Sequence, residues 1–242
     1  MRVWFTVPLI AAMLSGCSMV PESTAGSYRS DDPSLPAESY RSTGAAPAPS
    51  PVRALPAPRS QAAGQCLSRL GATGAEYTAL PDRYVDQGCT TLGTVQLAGL
   101  SSDRASLGVT NLGPVTCEVS QAFAGWARYG VDRAARQLLG SGVRSIETFG
   151  SFSCRNVAGT NRRSGHATGM AIDISGFVLD DGRRITVKGG WHGGSAGERE
   201  FLRVIQRSAC KRFATVLGPD YNSAHHDHLH VEGVLADSSY CR

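Results

Sequence analysis

Apolar residues recur along this chain with two different periods, and the change of period marks its elements. In "CEVSQAFAGWARYG" (117–130), Val119, Ala122, Phe123 and Trp126 fall at i, i+3, i+4 and i+7, which predicts an amphipathic helix. "VDRAARQLLGSGV" continues or restarts that helix and stops at Gly140-Ser141-Gly142. "GEREFLRVIQRSACKRFATVLG" predicts a second helix, with Phe201, Leu202, Ile205, Ala209 and Phe213 on its buried stripe. The period then shortens. "SIETFGSFSCR" alternates apolar and polar positions as a strand does, and "MAIDISGFVL" followed by "DDGRRITV" predicts a hairpin turning at Asp181-Gly182. "HHDHLHVEGV" predicts a last strand. Helices followed by strands around an antiparallel sheet give an α+β class.

The first sixty residues follow neither period. Met1-Arg2 precedes the apolar run "VWFTVPLIAAML", too short to span a bilayer as a mature helix and typical of a secretory signal. It ends in Leu14-Ser15-Gly16-Cys17, which resembles the bacterial lipobox, in which the cysteine is lipidated and becomes the first mature residue. Ser18 resembles the sorting position of lipoproteins sent to the outer membrane. The expected arrangement is a signal peptide over 1–17, a tether over 18–62 and a folded domain over 63–242. The tether, with "APAPSPVRALPAPRSQAAG" at its core, has too few large apolar groups to fold. Proline-rich chain extends by roughly 3 Å per residue, so the domain could stand of order 100 Å from a periplasm-facing membrane surface.

Composition narrows the picture. A net charge of +4 in 242 residues, with no basic run and no zinc-finger spacing, excludes a nucleic-acid partner as the natural expectation. Without Cys17 six cysteines remain, Cys66, Cys89, Cys117, Cys154, Cys210 and Cys241, an even number with no C-x-x-C pair. In an exported chain these predict three disulfides, whose pairing the spacing does not choose. Nor does the sequence fix the oligomeric state.

The candidate chemistry lies in two stretches. "RRSGHATGMAIDISGF" (162–177) places His166 and Asp173 among small and apolar residues, where an unpartnered ionisable group would cost several kcal/mol. "HHDHLH" holds His225, His226, His228 and His230. As a strand, it would put His226, His228 and His230 on one face and His225 and Asp227 on the other. If the strands bearing Asp173 and His230 are neighbours, His166, Asp173 and His230 meet. Two imidazoles and a carboxylate form a familiar Zn2+ set that leaves a fourth position open. His192, in "GGWHGG", is expected to be a loop residue.

Together, "SGHATGMAIDI" and "HDHLHVE" resemble the metal signature of the LAS-type zinc peptidases: D-alanyl-D-alanine peptidases, the penicillin-insensitive murein endopeptidase and the hedgehog signalling domain. More closely, "FGSFSCRN", "GHATGMAIDISGF", "FLRVIQRSACKRF" and "VLGPDYNSAHHDHLHVE" resemble the bacterial extensin-like C-terminal domain family over nearly all of the folded part. One departure is Gly165, where related extensin-like sequences often carry Glu. The resemblance implies a hedgehog- or DD-peptidase-like zinc fold, one Zn2+ held by His166, Asp173 and His230, and hydrolysis of peptide bonds in peptidoglycan. His225 and His228 match the two extra histidines of the murein endopeptidase pattern, and Asp227 stands where another branch has its catalytic Glu. Arg155 resembles an arginine that steadies the developing oxyanion. Arg162 and Arg163 could attract a stem-peptide carboxylate. The alternatives are a metal-containing module that binds peptidoglycan or an envelope partner without cleaving it, and a structural wall-associated lipoprotein. An acid/base residue beside the metal, for which Asp227 and His228 both qualify, favours the enzyme.

Overall fold

The computed structural model describes residues 60–242. The signal segment, Cys17 and the tether up to residue 59 lie outside these described residues. Helix α1 (Gln61–Ala72) begins two residues before the expected start of the folded domain at 63, because the Ser60 hydroxyl caps it by accepting from the Ala63 N–H. Six short strands follow: β1 (Glu76–Ala79), β2 (Tyr84–Asp86), β3 (Cys89–Thr90), β4 (Thr94–Ser101), β5 (Ser106–Thr110) and β6 (Val115–Thr116). The central helical run is α2 (Cys117–Trp126), a π-helical turn (Ala127–Asp132) and α3 (Arg133–Leu139), which ends at Gly140 in the left-handed region. Then come β7 (Val143–Gly150), β8 (Ala171–Leu179), β9 (Arg184–Thr186), α4 (Val187–Gly193), α5 (Ala196–Ala209), β10 (Thr215–Leu217), β11 (Leu229–Glu232) and β12 (Tyr240–Cys241).

The class is α+β, with one large sheet in the order β1-β4-β5-β7-β8-β11-β10-β12. Strand β6 pairs with β4 and β9 with β8. The sequence predicts an antiparallel sheet, but the sheet is mixed: β5 pairs parallel with β7, and β10 parallel with β12. A parallel pair needs a long crossover, and between β5 and β7 the run α2–α3 supplies it.

Aromatic residues of the helices and sheet form the core. Trp126 packs near Phe123 and Phe177, Phe177 meets Phe201 edge-on, and the Trp126 indole N–H donates to the Ile205 carbonyl at 2.9 Å. Helix α5 starts with a full capping box between Ser195 and Glu198 and buries Phe201, Leu202, Ile205 and Ala209, as its periodicity predicts. It ends at Ala209 rather than running toward 218, since Thr215–Leu217 joins the sheet as β10.

Three disulfides use all six expected cysteines: Cys66–Cys117, Cys89–Cys154 and Cys210–Cys241.

Candidate metal centre

Strand alternation builds the centre. In β8, Ile172 and Ile174 point into the core, so Asp173 between them faces the other way. In the antiparallel partner β11, Leu229 and Val231 lie opposite Ile174 and Ile172, which places His230 directly opposite Asp173. The β7–β8 register slips at Ser175, between the Glu147–Gly176 and Thr148–Ile174 pairs. That bulge lets Phe177 and Leu179 return to the core without moving Asp173 from its face. His166 arrives from a 3-10 turn (Gly165–Thr168), capped by Ser164 and ended by Gly169 in the left-handed region.

The three side chains converge. His230 Nδ1 lies 2.8 Å from Asp173 Oδ1, His166 Nε2 lies 3.2 Å from Asp173 Oδ2, and the two ring nitrogens are 3.3 Å apart. His166, Asp173 and His230 form a buried group that could hold a metal ion. The outer nitrogens are already committed. His166 Nδ1 donates to the Ser151 carbonyl at 2.5 Å, and His230 Nε2 to the Glu232 carboxylate at 3.1 Å. Such partners fix the tautomer and ring orientation of a metal-binding histidine. They leave His166 Nε2 and His230 Nδ1 aimed at Asp173.

The electrostatics agree with a site for positive charge. Burial pushes the Asp173 carboxyl up, but hydrogen bonds from His166 and His230 outweigh it and hold this group far below the usual carboxylate range. Burial likewise pushes His230 down, and its bonds to Asp173 and Glu232 reverse this and raise the imidazole to about 9.

Around the group runs a cleft of about 420 Å³. The stretch expected as a strand from His225 onward is one only from Leu229; Ser223–His225 form a 3-10 turn. The expected division of faces therefore fails at 225–228. His225 does not turn away: its ring lies 5.1 Å from that of His228 and 5.8 Å from that of His230, and it lines the cleft. Burial, then the neighbouring His228 and His230, push its imidazole down to about 4. His226 is exposed and bonds to the Ser223 carbonyl.

His228 Nε2 lies 3.5 Å from Asp173 Oδ1, while its Nδ1 donates to Asp227 at 3.0 Å. Asp227 itself does not line the cleft. Burial pushes its carboxyl up, but the His228 hydrogen bond together with the charges of His226 and His228 holds it below the usual carboxylate range. Arg155 does reach the group, with Nη2 3.9 Å from Asp173 Oδ2. His192 stands apart in α4, not in a loop, beside Asp220.

Residues 64–242 match the family described as Extensin-like protein C-terminus. The chain belongs to that family. No curated protein and no solved structure matches it. The extensin-like domain thus spans all the elements that build the centre, from the last turns of α1 to β12.

Two contributors to the extensin-like site escape a search for ligand types. Ser151 acts through its backbone carbonyl, which no side-chain pattern reveals. Glu232 was visible in principle, since it sits at i+2 from His230 on one strand face. Gly165 explains where its carboxylate fits: a Cβ at 165 would stand 2.4 Å from Glu232 Cδ. A side chain at 165 would push that carboxylate away from His230.

Proposed function

We propose that this extensin-like domain is a zinc-dependent peptidase of the bacterial cell envelope, hydrolysing peptide bonds in peptidoglycan stem peptides or crosslinks. The observation that carries the reading is the convergence of His166 Nε2, Asp173 and His230 Nδ1, with both outer imidazole nitrogens held by fixed acceptors. Two imidazole nitrogens and a carboxylate oxygen suit Zn2+ in chemistry and number, with room left for a ligand from the cleft. Zinc held by this set supplies a Lewis acid that polarises a scissile carbonyl and activates water.

The chain's own residues handle the proton and the substrate. With Nδ1 bonded to Asp227, His228 presents its Nε2 edge to the cleft, where it can take a proton from water and return it to the leaving amine. Asp227 acts through His228 by holding that edge in place. His225, whose Nδ1 bonds to Asn222 Oδ1 at 2.7 Å, adds a neutral imidazole to the same wall. Arg155 supplies positive charge beside Asp173 for the developing oxyanion. The order His166, Asp173, His230 and the adjacent strands β8 and β11 support kinship with the LAS-type zinc peptidases and the hedgehog-like fold. The lipobox supports a tethered lipoprotein of the outer membrane that faces the periplasm, where peptidoglycan lies within reach.

The test is mass analysis of muropeptides after incubation with the zinc-loaded protein. Cleaved crosslinks or shortened stems are expected, and His228→Ala should keep its zinc and lose the activity. A parent that binds peptidoglycan but cleaves no wall peptide with any metal would make the domain a non-catalytic binding module instead.

A further inference from the structure

The segment leading into His166 folds back on itself as a small hairpin. Ser164 N–H donates to the Arg155 carbonyl at 3.1 Å, Asn156 and Arg163 form an antiparallel bridge, and Val157 N–H donates to the Arg162 carbonyl at 2.9 Å. In such pairing successive side chains leave on opposite faces. Arg155, Val157, Arg162 and Ser164 take one face, and all four line the cleft. Arg163 takes the other. There it is fully engaged: Nε donates to the Gln87 carbonyl at 2.9 Å, Nη1 to Asn156 Oδ1 at 3.3 Å, and Nη2 stands 3.5 Å from Asp86. The Cys89–Cys154 disulfide staples the same hairpin to β3.

The two cleft-facing arginines are differently placed. Among the described residues, the Arg162 guanidinium has no hydrogen bond or ion pair, and Arg155 has only the long approach to Asp173. The carboxylates within the cleft, Asp173 and Glu232, are already bonded to histidines. A guanidinium with open donors, on a hairpin held rigid from behind, is suited to bind a carboxylate in bidentate fashion.

We propose that Arg162 is a specificity-determining residue that binds a free carboxylate of the peptide substrate, with Arg155 adding charge from the same wall. The sequence leaves Arg162 and Arg163 equivalent; the bridge at Asn156 separates them, giving Arg163 to the scaffold and Arg162 to the ligand. The inference rests on the peptidase reading. The carboxylate can be the C-terminal one or a side-chain one, and both offer the same two oxygens.

The experiment is calorimetric titration of the zinc-loaded full chain, carrying His228→Ala so that the ligand survives. Three forms of a peptidoglycan stem tetrapeptide serve as probes: free, amidated at its C-terminus, and amidated at its side-chain carboxyls. One amidated form should bind about tenfold more weakly than the free peptide, the loss of one charge-assisted pair, and which form weakens identifies the carboxylate. Adding Arg162→Gln should weaken the free peptide by the same factor and abolish the discrimination, while Arg162→Lys retains part of it. Equal affinity for all three peptides, or discrimination that persists in Arg162→Gln, overturns the assignment and leaves the peptidase reading standing. Absence of binding by any of the three removes the peptide cleft itself, and this inference with it.

Discussion

Asp173 and His230 are cross-strand partners, directly opposite one another in the β8–β11 ladder, and their side chains meet at 2.8 Å. Two of the three members of the candidate metal-binding group are thus held in place by sheet register. Only His166 depends on a turn, and Ser151, just after β7, orients its ring.

Asp173→Ala should therefore abolish metal binding without dissolving the sheet, since the backbone pairing persists. Zinc content by atomic absorption should fall from about one per chain toward zero. His192→Ala, in α4, should leave it unchanged. Equal zinc in Asp173→Ala and the parent would remove this site from consideration.

Gly165→Ala should act at a distance of one residue pair. The added Cβ displaces the Glu232 carboxylate from beside His230, and only the far end of a flexible side chain has to move. Metal affinity should drop by roughly 10–100-fold, the usual effect of losing an outer-shell partner. The thermal midpoint of the metal-free protein should barely change. Glu232→Gln should produce a similar loss of affinity; unaltered affinity in both variants would contradict the role given to Glu232.

Asp227→Asn separates proton handling from metal binding. The amide can present its N–H₂ to His228 Nδ1 and favour the wrong tautomer, so muropeptide cleavage should fall by about 10²-fold or more at unchanged zinc content. A variant as fast as the parent would detach Asp227 from the mechanism.

Thiol titration of the unfolded, unreduced domain should find none of the six paired cysteines free. Cys154→Ser together with Cys89→Ser should lower stability by about 2–5 kcal/mol, read from denaturant unfolding. Free thiol at any of the six positions in the mature protein would contradict the pairing.

Cys17→Ala should release the protein from membrane fractions or block its processing, because stable anchoring needs more than one acyl chain and Cys17 is their proposed attachment point. Normal processing and retention in the variant would end the lipoprotein reading.

Much of the C-terminal half was legible in the sequence. The helix stop at Gly140, the hairpin turn at Asp181-Gly182, where Gly182 has a φ of +89°, and the buried stripe of α5 all follow from local patterns. Residues 76–116 were not read as strands, because β2, β3 and β6 are only two or three residues long and the burial along β4 does not alternate. "HHDHLH" misled for a different reason. Alternating histidines look like a strand, but Asn222 and Ser223 accept backbone bonds from His225 and His226 and wind this stretch into a turn. The ligand types at 166, 173 and 230 could be read directly. The meeting of His225 and His228 on one wall depends on that turn and could not.

The disulfides divide the chain in a way that bears on the centre. Cys66–Cys117 and Cys89–Cys154 overlap, so residues 66–154 are one covalently interlocked block, while Cys210–Cys241 closes a second loop that contains His230. His166 and Asp173 lie between, on the stretch 155–209 that no cross-link encloses. The candidate metal-binding group, with the β8–β11 ladder beneath it, therefore joins a segment that no cross-link encloses to a cyclised end. A cation bound there would stabilise that junction by mass action, in proportion to the logarithm of its excess over Kd. Chelation in the oxidised protein should loosen that junction first, leaving all three disulfide loops closed.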